Sequence, residues 1–527
     1  MSRFVRASKY RHVYGQPAKR ELCIDNVKLS NSAWDTNLIA ASGSFISVNW
    51  NASGGGAFAI LPLPSPFQPH SLPTKLPDII PLARGHTAPV LDTDWSPHDD
   101  RVVASGGEDG HILLWQVEST YSFDDWGQDK WVPRDFEPVL RIGASARRVG
   151  QVLFHPTAKH VLAGATGEHN VKLWDLGAPE DPKAVLTGHT DAVQSFAFNF
   201  TGNLLVTTCR DRKIRLFDSR AGGEPVRVGD GHAGIKSSRV VWMGEQDRIA
   251  TTGFSKMSSR ELGIWDTGSL ANLKNVTVDQ TAGVLMPFYS DNNILFVAGK
   301  GDGNVRYYEF ESDTLHTLSE FQSTTPQRGM CFIPRRALSV ADCEIARAYK
   351  LTSTLIEPIA FIVPRKSDQF QSDIFPPALS AEPALTAAEF FKGVVKPANL
   401  VSLDSGAVLA STGAQAVVPT RTASAPAPEP IRMGTTEAPS ASVPASAVAS
   451  TPVSAPAPSA APRSVPMSRS STTMSISTPA DDSSSLKEEN AQLNAELREA
   501  REKIRNLELQ VEALKANAQK AKALLNA

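Results

Sequence analysis

The sequence predicts an all-β protein, a seven-bladed β-propeller, followed by a disordered linker and a C-terminal α-helical coiled coil. Three observations lead to this prediction. A motif of Gly-His, a β-type run and a closing Trp-Asp or close equivalent recurs through the first part of the chain. Between residues 396 and 485 the composition shifts to Ala, Ser, Pro and Thr. From residue 486 onward, Pro and Gly vanish and charged helix formers return.

The repeat determines the fold class. Clear copies begin at Gly85-His86, Gly188-His189 and Gly231-His232, and a weaker copy begins at Gly143-Ala144. Where no insertion intervenes the period is about 43 to 45 residues, which matches the roughly 40–45 residues of a four-stranded WD-repeat blade. Four blades open at Gly85, Gly143, Gly188 and Gly231, and three more fit Asn272–Phe310, Leu318–Pro364 and Lys28–Pro66, the last through Trp34-Asp35. We expect the ring to close by pairing a strand near His12–Tyr14 with the last blade.

A polar network is expected to fix the register of each blade. The His can bond a Ser or Thr inside the blade and contact the closing aromatic residue, while the turn Asp accepts from the His ring or from turn amides. The residues assigned to this network are His86, Asp109, Trp115, Trp174, His189, Asp211, His232, Trp265 and Asp302. Because they recur at the blade period, we assign them to the scaffold, since catalysis needs one unique constellation. No catalytic residue is predicted, and the protein is not expected to be an enzyme.

Between the propeller and the tail, residues 396–485 contain few aromatic and few charged residues. Such a segment cannot bury enough apolar surface to offset the entropy lost on ordering, so it is predicted to be a flexible linker.

Composition excludes several classes of protein. The 527 residues include 53 Lys and Arg against 55 Asp and Glu, so a net charge of -2 gives no overall basic field for nucleic acid. The four cysteines are scattered, so neither a zinc site nor a disulfide framework is expected. No apolar run approaches the roughly 20 residues that span a bilayer, and the N-terminus lacks the apolar core of a secretory signal. The sequence thus predicts a cytosolic protein without cofactor, metal or transmembrane segment.

The chain resembles the coronin family of actin-associated WD-repeat proteins. The resemblance is carried by the stretches Phe4–Gly15, Ala52–Phe58, Thr252–Arg260, Gly299–Asp302, Pro326–Met330, Cys343–Arg347 and Pro364–Asp368. The layout agrees as well. It implies a propeller over residues 1–364, a packed extension over 365–395, a variable linker over 396–485 and an oligomerising coiled coil over 486–527.

The first twenty residues carry a cationic arm with no acidic residue, and its basic members are Arg3, Arg6, Lys9, Arg11, Lys19 and Arg20. Such an arm suits an acidic protein surface, and the alternative is a solvated face that protects an edge strand. Coronins are similar in using basic propeller residues to hold filamentous actin. Lys28 stands where the family has an Arg, so the charge is kept and the bidentate fork is lost.

The C-terminal residues follow heptads. The prediction is carried by Asn490, Leu493, Leu497, Ile504, Leu507, Val511 and Leu514 at a and d positions, with Lys503 and Glu508 beside them. Leu at d with Ile or Val at a, together with Asn490, favours two strands. The stretch from Lys503 to Glu508 instead resembles a trimer motif of the family, with Lys where Arg is expected. We favour the trimer narrowly, and the dimer stays open.

The resemblance implies a non-enzymatic scaffold that binds and crosslinks actin filaments in the cytoplasm, at cortical actin structures. It also implies regulation of actin dynamics with the actin-related protein 2/3 complex and with cofilin. The alternative is a generic WD-repeat interaction hub with an oligomerising tail and no direct contact with actin.

Overall fold

The computed structural model describes residues 6–70, 72–126, 128, 131–365 and 369–409. In these residues, seven antiparallel sheets of four or five strands follow one another along the chain. Six sheets have four strands, and in the seventh two short N-terminal strands, β1 (Tyr14–Pro17) and β2 (Ile24–Asp25), share the outer edge. A 3-10 helix at Arg20–Leu22 separates these two strands. The predicted seven-bladed propeller is therefore confirmed.

Blades 1 to 3 follow these two strands. Their strands are β3 Ile39–Ala41, β4 Phe45–Trp50, β5 Gly56–Pro62 and β6 Leu82–His86 in blade 1; β7 Val90–Trp95, β8 Val102–Gly107, β9 His111–Gln116 and β10 Leu140–Gly143 in blade 2; and β11 Val149–Phe154, β13 Val161–Thr166, β14 Asn170–Asp175 and β15 Ala184–Leu186 in blade 3, with the short β12 Ala158–Lys159 between β11 and β13. The first strand of each blade lines the central channel, and the last lies at the rim.

Blades 4 to 7 repeat the pattern. Blade 4 consists of β16 Val193–Phe198, β17 Leu204–Cys209, β18 Lys213–Asp218 and β19 Arg227–Asp230, and blade 5 of β20 Arg239–Trp242, β21 Arg248–Phe254, β22 Arg260–Asp266 and β23 Asn272–Asp279. Blade 6 consists of β24 Leu285–Ser290, β25 Ile294–Gly299, β26 Val305–Glu311 and β27 Thr314–Phe321. Blade 7 contains β28 Gly329–Phe332, β29 Glu344–Leu351 and β30 Leu355–Ile362, and the two N-terminal strands complete it. We call the face where each innermost strand begins the top face, and the opposite face the bottom face.

The core lies between the blades, because each sheet buries both of its faces against its neighbours. Phe58 of blade 1 meets the ring of Trp115 in blade 2 edge-on, with ring centroids 5.4 Å apart. Phe296 of blade 6 and Phe361 of blade 7 lie 4.7 Å apart. Strands that are buried on both faces read as continuous apolar or small residues rather than as alternating ones, as in the Val-Val-Ala-Ser-Gly-Gly run of β8.

The N-terminal strand closes the ring. Tyr14 and Pro17 of β1 pair with Ile362 and Ile359 of β30 in antiparallel register. The residues before the strand are anchored as well, because Val13 is buried and its carbonyl oxygen accepts a 3.1 Å hydrogen bond from the Tyr307 hydroxyl. The predicted closure is confirmed, and the paired strand itself begins at Tyr14.

The extension after blade 7 packs on the bottom face. Its elements are β31 Ala378–Leu379, β32 Leu385–Thr386, α1 Ala387–Phe391, β33 Leu400–Val401 and β34 Val408–Leu409, while a 3-10 helix occupies Arg335–Ala337 within blade 7. β32 pairs with β12 in the first bottom loop of blade 3, and the Phe390 ring lies 4.3 Å from that of the buried His155. β33 and β34 lie after residue 395, in the stretch predicted as linker. Residues 410–485 of that stretch and the predicted coiled coil lie outside the described residues.

The central channel contains a cavity of about 500 Å³. The innermost strands form its wall, Arg335 and Leu379 lie at its bottom end, and Asn37 lies at its top end. Trp34-Asp35 sits in the loop before β3 at this top end. The sequence placed Trp34-Asp35 inside the blade over Lys28–Pro66, whereas the strands of blade 1 begin only at Ile39.

Candidate protein-binding surface

The predicted polar network is complete in blade 2. The Trp115 indole N–H donates to the Ser105 hydroxyl at 2.9 Å, and the same hydroxyl lies 2.8 Å from Nε2 of His86. Nδ1 of His86 lies 3.0 Å from the Asp109 carboxylate, which also accepts from the Thr87 amide. Burial would raise the pKa of Asp109, but these donors hold it well below its ordinary value. Because His86 is on the last strand of blade 1, the network joins two blades.

Blade 4 uses a variant of this network. Nε2 of His189 lies 2.9 Å from the Thr207 hydroxyl, and the His189 ring is tilted against the Phe217 ring, with centroids 5.3 Å apart. The Asp211 carboxylate accepts from the Arg215 guanidinium at 2.6 Å and from Thr190 at 2.8 Å. Asp211 thus bonds to an arginine and to the turn rather than to the His ring.

Blade 5 replaces the turn Asp by Glu261, which the sequence pattern did not indicate. The Glu261 carboxylate lies 3.2 Å from Nδ1 of His232. The Thr251 hydroxyl receives the Trp265 indole N–H at 2.6 Å and lies 2.8 Å from Nε2 of His232. The chain of polar contacts is the same as in blade 2, but the longer carboxylate stands on β22 rather than in the turn.

The two remaining network residues pack differently. Trp174 is buried in an apolar cluster between blades 2 and 3, with Ile112 and Val149. Asp302 belongs to an ion cluster between blades 5 and 6, where the buried Arg260 guanidinium donates to Asp302 at 2.7 Å and to Asp279 at 2.6 Å. Both residues hold blades together and bind no His.

The N-terminal basic residues are divided between the two faces. Arg6 and Lys9 lie at the bottom face, where Arg6 pairs with Glu309 and with Glu311, and Lys9 donates to the carbonyl of Asp373. Arg3 lies outside the described residues. The two ion pairs compensate the charge of Arg6 within the chain, whereas Lys9 is held by a backbone oxygen.

Arg11 precedes β1, and the other basic residues follow the chain past β1 toward the top face. Arg11 and Lys19 are exposed, and Arg20 forms a 2.5 Å ion pair with Asp25. Lys28 lies on the top face between blades 7 and 1, with 42% of its side chain exposed. Its ammonium group donates to the backbone carbonyl of Asp78 at 2.7 Å and lies 3.6 Å from the Asp78 carboxylate. The structure therefore does not gather the predicted actin-binding residues into one patch.

Beside Lys28, the Trp34 loop crosses the top end of the channel. The Trp34 indole N–H donates to the Gly150 carbonyl of blade 3 at 2.7 Å, and the Arg148 guanidinium lies 4.4 Å from its ring centroid. Arg239 of blade 5 donates to the Asp35 carbonyl. A side chain at residue 150 would meet the Trp34 ring at 2.6 Å, so glycine is required there. The loop that follows Lys28 is thus tied to distant blades.

Two carboxylates in the channel wall were not found from the sequence. Asp92 accepts from the Val152 amide at 3.1 Å, and Asp94 accepts from the Phe154 amide at 2.7 Å. Burial raises the pKa of each to about 7. Asp92 and Asp94 are two residues apart on β7, and residues at this spacing lie on the same face of a strand. This spacing is the feature of the sequence that could have indicated two side chains facing the channel.

Among the residues that the structure describes, no group of three or more His, Cys, Asp or Glu side chains is placed to hold a metal ion. In the same residues, no helix is long and apolar enough to cross a membrane.

Comparison with known proteins places the chain in a family. Residues 3–67 match a domain of unknown function (DUF1899), residues 80–116 and 180–218 match the WD domain, G-beta repeat, and residues 356–398 match a type of WD40 repeat. Coronin-2A of Homo sapiens is 40% identical over 415 residues, which cover 77% of this chain and 75% of that protein. Coronin-A of Dictyostelium discoideum is 40% identical over 412 residues, which cover 77% of this chain and 88% of that protein.

The chain belongs to the coronin family. The family recognised from the sequence stretches is therefore confirmed. The coronin-like protein crn1 of Schizosaccharomyces pombe is 49% identical over 416 residues, 78% of this chain and 66% of that protein. The coronin-like protein of Saccharomyces cerevisiae is 48% identical, and the match covers 76% of this chain and 61% of that protein. The matched part thus spans less than two thirds of these two relatives.

A solved coronin structure supports the fold. The WD40 domain of Toxoplasma gondii coronin superposes with a TM-score of 0.68 at 28% sequence identity, covering 75% of this chain and 97% of that domain. Coronins and WD40 propellers are non-enzymatic scaffold proteins, and this coronin-family chain is one of them.

Proposed function

We propose that this coronin-family protein binds actin filaments through the top face of its propeller and crosslinks them. The observation that carries the proposal is the position of Lys28, an exposed cation at the place where coronins resemble one another in having an Arg. It stands on a face that no described residue of the extension covers, because the extension packs on the bottom loops. A cation on an open face suits an acidic protein surface.

The remaining parts of the chain complete this proposal. Residues 396–485 would act as the linker from which the propellers move independently, and residues 486–527 would form a trimeric or dimeric coiled coil. Joining propellers in this way multiplies their valency without any new contact. We further propose regulation of actin dynamics with the actin-related protein 2/3 complex and with cofilin, at cortical actin in the cytoplasm.

Co-sedimentation of the full chain with actin filaments tests the proposal. Lys28→Glu should weaken half-saturation about tenfold, or ~1.4 kcal/mol, because it reverses a charge at the contact. Lys28→Arg should bind at least as well as the parent, since it keeps the charge and adds a bidentate fork. The matched control is Lys183→Glu, an exposed lysine in the strand connection of blade 3 that leads to its outer edge.

The two possible failures have different meanings. A parent chain that does not sediment with filaments would favour the generic interaction hub. A parent that sediments, together with a folded Lys28→Glu variant that binds equally well, would place the filament contact elsewhere.

A further inference from the structure

Blade 5 presents exposed apolar side chains on the top face, away from Lys28. Met257 is 87% exposed and Ile235 is 81% exposed. Met257 lies in the turn between β21 and β22, and Ile235 lies in the loop that leads into β20, so both project from top-face connections of one blade. Scattered exposed aliphatic residues are ordinary in soluble proteins, whereas two on adjoining loops form a patch.

The two loops are held in a fixed relation. The Gly234 amide donates to the Phe254 carbonyl at 2.7 Å, which joins the loop of Ile235 to the strand end before Met257. A side chain at residue 234 would come within 2.6 Å of that carbonyl oxygen, so glycine permits the approach. The ammonium group of Lys236 lies 4.7 Å from the Phe254 ring centroid. These contacts therefore fix the positions of the two loops that carry Ile235 and Met257.

Cations surround these apolar side chains. Lys236 and Lys256 are their direct neighbours in the chain, and Arg212 lies in the adjacent turn of blade 4, whose backbone carbonyl accepts from Gly231. None of these three has an ion-pair partner among the residues that the structure describes. We call Arg212, Ile235, Lys236, Lys256 and Met257 the blade-5 patch.

The acidic residues nearby are already engaged. Asp230 pairs with Lys213, Asp191 lies 4.0 Å from Arg210, and Glu261 contacts His232. The blade-5 patch therefore keeps an uncompensated positive charge around an apolar centre. Its complement is an acidic protein surface with an apolar pocket, because Met and Arg are enriched in interfaces and charges at a rim select the partner.

We propose that the blade-5 patch is a second contact surface for the actin filament, acting together with Lys28. This inference rests on the proposed function. The two contacts share the top face, and the described part of the extension occupies only the bottom face, so one filament surface can reach both. Met257 and Ile235 supply apolar contact that salt does not screen, while Arg212, Lys236 and Lys256 supply the salt-dependent part.

Filament co-sedimentation of full-length variants tests the patch. Ile235→Ser/Met257→Ser should raise the filament concentration for half-saturation at least tenfold and leave the salt dependence unchanged. Lys236→Ser/Lys256→Ser should flatten the salt dependence between low and physiological ionic strength. The control is Val132→Ser/Val139→Ser, which removes apolar side chains that are 81% and 62% exposed in the strand connection of blade 2. It should bind within twofold of the parent.

The outcomes separate the two proposals. All of these side chains are exposed, so the variants should keep the thermal midpoint of the parent. A folded Ile235→Ser/Met257→Ser variant that binds within twofold of a sedimenting parent would overturn the blade-5 patch and leave the proposed function intact. A parent that does not sediment would overturn the proposed function and, with it, the filament as occupant of the patch.

Discussion

The Ser105 hydroxyl is the link on which the blade-2 network depends. Nδ1 of His86 faces the Asp109 carboxylate, which only accepts, so Nδ1 carries a proton. The Trp115 indole N–H donates to the Ser105 hydroxyl, and the same hydroxyl is the hydrogen-bond partner of Nε2 of His86. Ser105→Ala therefore leaves two buried polar groups, the Trp115 indole N–H and Nε2 of His86, without their partner.

The expected loss of stability follows from this count. An unsatisfied buried polar group costs about 1–3 kcal/mol, so two such groups give roughly 2–6 kcal/mol. Ser105 and Trp115 have no exposed surface and His86 is 4% exposed, so water cannot replace the lost partner without opening the blade. That loss is a large share of the 5–15 kcal/mol that is typical of folded domains.

Urea unfolding of residues 1–409, followed by tryptophan fluorescence, measures this loss. Ser105→Thr is the control, because blades 4 and 5 have Thr207 and Thr251 at the equivalent contact with His. The alanine variant should unfold at clearly lower urea concentration than the threonine variant. Equal midpoints for the parent and Ser105→Ala would refute the claim that the network stabilises the blade.

Three further predictions concern ring closure, pH and assembly. Deleting residues 1–17 removes β1 and exposes the edge of β30, so the protein should aggregate or melt much lower; a soluble deletion variant that melts within a degree or two of the parent would disprove closure by β1. The pKa of Asp92 and Asp94 is raised to about 7, so the folded state binds more protons than the unfolded state between about pH 4 and 7, and stability should fall as pH rises through this range. Asp92→Asn/Asp94→Asn should lessen this fall in thermal melts from pH 5.5 to 8, and an unchanged pH profile would show that these carboxylates do not titrate in that range. Removing residues 486–527 should yield monomers that bind filaments more weakly without bundling; an oligomer in sedimentation velocity, or undiminished bundling in low-speed pelleting, would show that the coiled coil is not the crosslinking element.

The repeated features of the propeller could be predicted from the sequence, whereas contacts that occur only once in the ring could not. The blade period marked the seven sheets, because every blade meets the same packing problem with similar residues. Trp34-Asp35 has the same two residues as the Trp-Asp pair that closes a repeat, but the Trp34 indole N–H donates to the Gly150 carbonyl across the channel. That contact joins residues that are far apart in the chain, so the local sequence does not reveal it. The two-residue strands β33 and β34 are too short to show alternation.

The candidate site was only partly predictable for the same reason. Lys28 was identified by its neighbours in sequence, and the structure leaves it exposed. The cationic arm is one continuous feature of the sequence, but the partners of Arg6 are Glu309 and Glu311, and no local pattern reveals a partner about three hundred residues away. The exposure of Met257 depends on which loops the fold brings together at the top face.

Hydroxyl-radical footprinting of the full chain, with and without actin filaments, tests the central claim most directly. Met257 is a reactive and exposed side chain on the top face, and Val132, which is 81% exposed in the strand connection of blade 2, serves as an internal reference. Binding through the top face predicts strong protection of Met257 and Ile235 and unchanged labelling of Val132. Unprotected Met257 together with protection of bottom-face residues such as Phe391 and Lys392 would contradict the account.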